Sequence, residues 1–199
     1  MKKVVARLVL VMTFMFASIA NANVILSLDP GTQDSVIGDL VSVSVMIDGL
    51  GDGVPLSLAS FDIDVAFDTS ALTFMGYSLF DNLGVVDFFE ADDFSMGEYT
   101  LGIVNIFELS YLSNFDLWGF QPGSFALAEL FFVADTAVIS AISFASADLA
   151  DVNGDVININ AVNDASVTAV PTPASSILIF LGLLSMFVRK KSYSSGNRS

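Results

Sequence analysis

The sequence predicts an all-β sandwich for the middle of the chain, and three observations carry that expectation. Apolar and polar residues alternate at a period of two along several short runs. Turn-forming clusters separate those runs. No stretch between Val24 and Val170 holds an extended helical apolar period.

Taken in order, Val41, Val43, Val45 and Ile47 alternate with Ser42, Ser44 and Met46. Ala59, Phe61, Ile63, Val65 and Phe67 alternate with Ser60, Asp62, Asp64 and Ala66. Side chains in a strand point to opposite faces in turn, so the apolar set is expected in a core and the acids in water. A later strand is expected to place Phe125, Leu127, Phe131 and Val133 on one face, with Leu130 and Phe132 on the other. The segments 138–147 and 156–161 continue the pattern. Turns are expected at Asp29-Pro30-Gly31, across 48–53, at Gln121-Pro122-Gly123 and at Val152-Asn153-Gly154-Asp155. One short helical turn is expected near Ser110–Phe115.

Length bounds the organisation. The 199 residues suffice for one domain with short appendages, and a hydrophobic fraction of 54% supplies one packed core. Charge is unevenly placed. All 22 acids lie from Asp29 to Asp164, whereas none of the 7 bases lies between Arg7 and Arg189. The domain's carboxylates therefore have no basic side chain of their own domain to pair with. They are expected to rely on water, backbone N–H groups or bound cations, and salt or Ca²⁺ is expected to stabilise the domain. Nucleic acid is not an expected partner, because phosphate binding needs Lys and Arg. The sequence holds no Cys and no His, which removes disulfides, thiolate or imidazole metal sites, and Ser-His-Asp or Cys-His catalysis.

The two ends read as addresses. Residues 1–22 have the form of a secretory signal: Lys2, Lys3 and Arg7 precede an apolar run from Leu8 to Ala20, and Ala20-Asn21-Ala22 offers small residues before a cut after Ala22. At the other end, Val170-Pro171-Thr172-Pro173 interrupts regular structure. Residues 174–188 carry no charge and are expected to enter a membrane. Arg189-Lys190-Lys191 then forms a basic stop, expected on the cytoplasmic side. The expected division is a signal peptide at 1–22, a sandwich domain at 23–169 and a sorting segment at 170–199.

Proline pair, apolar stretch, basic cluster and chain end together resemble the PEP-CTERM sorting signal of Gram-negative bacteria. Thr172 stands where that family usually has Glu, and the tail from Ser192 to Ser199 is longer than usual. The resemblance implies recognition by exosortase, a membrane-embedded enzyme, after transit at the inner membrane. Cleavage near the proline motif and release to the cell surface or exopolysaccharide matrix would follow. A variant sorting enzyme, or retention as an ordinary anchor, are the alternatives.

The domain also resembles a known family. An early strand is followed by Ser42-Val43-Ser44-Val45. Then comes the run Ala59-Ser60-Phe61-Asp62-Ile63-Asp64-Val65-Ala66-Phe67-Asp68, leading through a turn to Leu72. This looks like a cohesin-type domain, with Asp68 as the turn acid and Leu72 as the core anchor. Segments 127–133 and 165–170 resemble its later core strand and its closing strand. The resemblance implies a jelly-roll-like β-sandwich of the cohesin and carbohydrate-binding-module type. Cohesins of cellulosomes bind dockerins, but no cellulosomal feature accompanies the module here.

Three constellations could bind ligands. Asp151, Asn153 and Asp155 have the opening spacing of an EF-hand loop, but Val156 and Val162 stand where that loop needs Gly and a bidentate acid. A turn through Asn153-Gly154 is favoured. A weak Ca²⁺ site using Asp148, Asp151, Asn153 and Asp155 is the alternative. Asp87, Glu90, Asp92 and Asp93 cluster among Phe88, Phe89 and Phe94; a solvated loop with its aromatics pinned to the core is favoured, and a Ca²⁺ site or the flank of a sugar platform is the alternative. Trp118, the single Trp, either anchors a loop or stacks on a sugar ring with Tyr111, Phe115 and Phe120 nearby. No catalytic residues are assigned and no cofactor is required. The expected function is that of a non-catalytic surface or matrix protein, structural, adhesive or carbohydrate-binding. A glycoside hydrolase is the remote alternative.

Overall fold

The computed structural model describes residues 23–50 and 57–171. The expected signal segment with Ala20 and Ala22 lies outside the described residues. So do Thr172, Pro173, the apolar stretch 174–188 and Arg189-Lys190-Lys191.

Among the described residues, twelve strands form two packed sheets. The first has five strands, in the order β11 (Ile159–Asn163), β1 (Val24–Asp29), β3 (Leu40–Asp48), β9 (Ser124–Ala134) and β5 (Leu72–Leu79). The second has seven. Its order is β2 (Thr32–Val36), β12 (Ala165–Val170), β10 (Ile139–Ala150), β4 (Ser60–Phe67), β8 (Ile103–Ser110) and β6 (Ala91–Asp93), and β7 (Gly97–Thr100) also pairs with β8. The all-β sandwich expectation holds.

Both ends of the domain switch sheets. β1 pairs with β3, the chain breaks at Pro30-Gly31, and β2 continues beside β12 in the other sheet. β11 and β12 do the same across Asp164, whose carboxylate accepts from the Phe144 N–H at 3.0 Å. Pro30 has no N–H to offer a ladder, which suits it to the break. The two resulting pairs, β1 with β11 and β2 with β12, are parallel.

The alternation in β3 and β4 behaves as expected. Val41, Val43, Val45 and Ile47 are buried against Phe61, Ile63, Val65 and Phe67 in one core. Asp68 caps the turn after β4, accepting from the backbone N–H of Ser70 at 2.9 Å and its hydroxyl at 2.7 Å. Those bonds hold the Asp68 carboxyl below its usual range. Leu72 is buried as the anchor that follows.

β9 departs from the expected alternation. Phe125 and Leu127 face the core, but so do Ala128, Leu130, Phe132 and Ala134, while Phe131 and Val133 do not. The register against β3 shifts between Val45 and Met46, which leaves Leu127 as an extra residue. A bulge moves every later side chain to the opposite face, and a plain period-two reading cannot contain it. Phe132 then meets Phe67 at 5.2 Å and Phe74 at 5.7 Å between ring centres. β10 carries a similar shift at Ala145.

The expected helical turn is a helix, α1, over Asn114–Phe120, displaced toward the C-terminus of the predicted range. Ser113 caps it by accepting from the Asp116 N–H. Leu117 is buried. Among the described residues no helix is long and apolar enough to cross a membrane.

Candidate functional site

The outer face of the seven-stranded sheet carries a hydrogen-bonded acidic network. Asp62 and Asp64 point outward from β4, opposite Phe107 and Asn105 of β8. The Asn105 amide donates to Asp62 at 2.7 Å and to Asp64 at 3.1 Å. Its carbonyl oxygen accepts from the Met96 N–H at 3.3 Å. Asp64 also accepts from Tyr99 at 3.2 Å and from Ser146 at 3.0 Å. Asp148 of β10 lies opposite Asp62 on the same face. The β7–β8 hairpin sets Met96, Tyr99 and Leu101 at the surface beside this network, Leu101 being 83% exposed.

Tyrosine hydroxyls recur as donors to carboxylates. Tyr77 donates to Asp93 at 2.9 Å, Tyr99 to Asp64, and Tyr111 to Asp92 at 2.6 Å. All three described tyrosines therefore bond a carboxylate. Each phenol is pushed up from its usual range. Burial leads the causes at Tyr77 and Tyr99, and the bond to Asp92 leads at Tyr111. The expected supports for the carboxylates omitted Tyr and Asn side chains. A domain with no Lys or Arg between Arg7 and Arg189 uses them as its neutral donors.

Glu108 is the exception. It lies on β8, opposite Phe61 on one side and Asp93 on the other, and faces the gap between the sheets. It is 1% exposed, and neither carboxylate oxygen has a hydrogen-bond partner. Burial, then the charges of Asp93 and Asp81, push its carboxyl up to about 8.

The predicted ligand residues fall in different places. Asp151, Asn153 and Asp155 form a tight turn after β10. Asp151 accepts from the N–H groups of Asn153 at 2.8 Å and Asp155 at 2.9 Å, and Gly154 takes φ +80°. Asp151 is held below its usual range by those backbone bonds, against a raising contribution from desolvation. Asp148 belongs instead to the sheet face. Among the described residues no three acidic side chains converge to hold a metal ion. Trp118 lies on α1, half exposed, with Phe115 78% exposed one turn before it. Phe88 and Phe89 are 74% and 84% exposed, so they are not pinned to the core as expected. The turn over Val86–Phe88 is too short to bury them. Phe94 packs on Phe107 at 5.3 Å. Val170 ends β12, followed by Pro171.

No protein-family model matches the chain, and no curated relative matches it. Solved structures do, and they define the class of fold. A cohesin from Clostridium acetobutylicum is similar at 24% identity and TM-score 0.58, over 76% of this chain and 94% of its own. A cohesin–dockerin complex of Clostridium thermocellum gives 13% identity and TM-score 0.58, over 74% of this chain and 99% of the matched one. A non-cellulosomal cohesin from Archaeoglobus fulgidus gives 10% and 0.55, over 75% and 92%. The domain has the cohesin fold.

Proposed function

We propose that the chain is an exported, non-catalytic binding protein whose sandwich engages a partner through the outer face of its seven-stranded sheet. The observation that carries this reading is the open network of Asp62, Asp64, Asn105 and Tyr99, set beside exposed Met96 and Leu101. Its polar groups are already oriented, and the flanking apolar side chains gain by being covered. Cohesins of similar fold form complexes with dockerins, which supports a protein as the partner class. Whether a dockerin itself binds is read by titration with one: wild type binds and Tyr99→Ser weakens it, or no dockerin binds and the partner is another protein.

Delivery follows the end segments. The signal at 1–22 exports the chain, and residues 174–188 with Arg189-Lys190-Lys191 hold it at the inner membrane. An exosortase-like enzyme then cuts near Pro171-Thr172-Pro173 and passes the domain to the cell surface or exopolysaccharide matrix. Intact-mass measurement of the surface form tests this. Loss of everything after the proline motif is expected, and a full C-terminus would overturn it.

A second reading keeps the carbohydrate-binding role, because Trp118 and Phe115 lie on the surface rather than in the core. A glycan array with wild type and Trp118→Ala decides it. No glycan signal removes this reading.

A further inference from the structure

Exposed aromatic rings lie at one end of the sandwich, apart from the sheet face. α1 lies across the loop that joins β5 to β6 and is bonded to it at both ends. Before the helix, the Tyr111 N–H donates to the Glu90 carbonyl at 2.8 Å. After it, the Gln121 amide donates to the Asn82 carbonyl at 3.0 Å. This arrangement brings Phe88 and Phe89 of the loop to the same end of the molecule as Phe115 and Trp118 of the helix. Phe115 and Trp118 are three residues apart and share one helix face, away from buried Leu117.

Phe89 is displayed under constraint. It takes φ 59° and ψ 29°, and it is the one non-glycine residue with positive φ among the described residues. A bulky side chain in that region is strained. The turn holds it there through the Glu90 carboxylate, which accepts from the Val85 N–H at 3.0 Å. An exposed phenyl ring kept in a strained backbone is a costly feature for a surface with nothing to bind.

The charge around the rings selects the occupant. Asp87 and Asp116 are exposed among them, and Glu90 and Asp92 lie beside them. No base occurs between Arg7 and Arg189 to balance these acids. A partner that covers the rings must also cover carboxylates, and burying them needs positive charge. A second copy of this chain would bring the same acids against themselves. Anionic lipid and nucleic acid are repelled for the same reason.

We infer that this end of the sandwich docks a protein segment in which Lys or Arg residues lie next to apolar ones. The apolar groups cover the phenyl rings, and the cations stack on Trp118 or Phe115 while pairing with Asp87 and Asp116. The surface is independent of the sheet face. It also lies at the far end of the sandwich from Val170. β4 runs from Ser60, beside Ala150 and Leu109, to Phe67, beside Ile142. β12 leaves past Ile139. Seven strand steps, about 23 Å, separate the two ends. The surface therefore stays accessible whatever holds the tail.

The test is a selection from a displayed random-peptide library against the full chain in mild detergent, followed by titration with one synthetic peptide from the winners. Enriched sequences should combine Lys or Arg with apolar residues. Trp118→Ser and Phe89→Gly should each weaken that peptide on the order of thirtyfold, as at an interface hot spot. Tyr99→Ser, on the sheet face, should leave it unchanged. Glycine suits the Phe89 backbone, so that variant keeps the fold and carries the test if Trp118→Ser does not. Winners without basic residues, or a peptide indifferent to both substitutions, would overturn the inference. So would a dimer in sedimentation, or binding to phosphatidylcholine vesicles, that Phe89→Gly abolishes, because the rings would then serve a second copy or a lipid surface.

Discussion

Asp64 and Glu108 belong to adjacent strands of one sheet and point to opposite sides of it. Asp64 faces outward and accepts from Asn105, Tyr99 and Ser146. Glu108 faces inward and accepts from nothing. The residue class is nearly the same, and the surroundings give opposite outcomes. A carboxylate among neutral donors is hydrogen-bonded without any salt bridge. A carboxylate among apolar side chains, with two acids nearby, keeps its proton.

The largest effect that sharpens this contrast is at Glu108. Its carboxyl is raised from 4.5 to about 8 in the folded chain. A raised acid binds more protons folded than unfolded, so its contribution is complete below about pH 4.5 and is lost as pH rises toward 8. At about 1.4 kcal/mol per unit, the loss has a ceiling of about 5 kcal/mol. Urea unfolding of wild type and Glu108→Gln at pH 5 and pH 8 should show the wild type losing a few kcal/mol more across that interval. Parallel pH profiles would mean that the Glu108 site admits water or a cation and that the contrast with Asp64 is false.

Next in size is Asn105→Ala. Asn105 is 4% exposed and supplies an amide donor to both Asp62 and Asp64. Removing it leaves two neighbouring carboxylates with fewer donors, and stability should fall by about 2 kcal/mol. Asn105→Asp should cost more, since it adds a third negative charge. A neutral Asn105→Ala would show that water serves the pair equally well.

Much of this architecture was legible beforehand, and the failures share a cause. The strands β3 and β4 were readable because each keeps one unbroken alternation. β9 was misread after Leu127, since a bulge is a property of a pair of strands and not of either sequence alone. Asp68 and Leu72 were readable from a local pattern. The partners of the carboxylates were not. Asn105 and Tyr99 reach Asp64 from positions 41 and 35 residues away. One signal was available: a chain with 22 acids and a base-free middle must find neutral donors, and Tyr and Asn are those donors. The exposure of Phe88 and Phe89 had no signal, because a Phe pair in a loop reads the same whether it faces in or out.

The smallest effect tests whether Asp64, Asp92 and Asp93 are held by these neutral donors or merely tolerated. Tyr77, Tyr99 and Tyr111 each donate to a carboxylate, and each phenol is raised. Ionising a phenol beside Asp93, Asp64 or Asp92 destroys the bond and sets two negative charges together. A raised phenol favours its neutral form, so the stability it lends is complete below about pH 10 and is lost above that as the phenol ionises. Absorbance titration of tyrosinate should therefore give midpoints above that of free tyrosine. Added NaCl should draw them back toward it, because the part due to neighbouring charge is screened while the part due to burial is not. Tyr99→Phe and Tyr111→Phe should each remove one salt-sensitive component. Tyr77, whose shift is led by burial, should keep more of its displacement in high salt than Tyr111, whose shift is led by its bond to Asp92. Urea rather than guanidinium is the denaturant for the companion melts, since an ionic denaturant would screen the very charges being measured. Midpoints at the free-tyrosine value in low salt would place the hydroxyls in water, and these three acids would then be solvated rather than bonded.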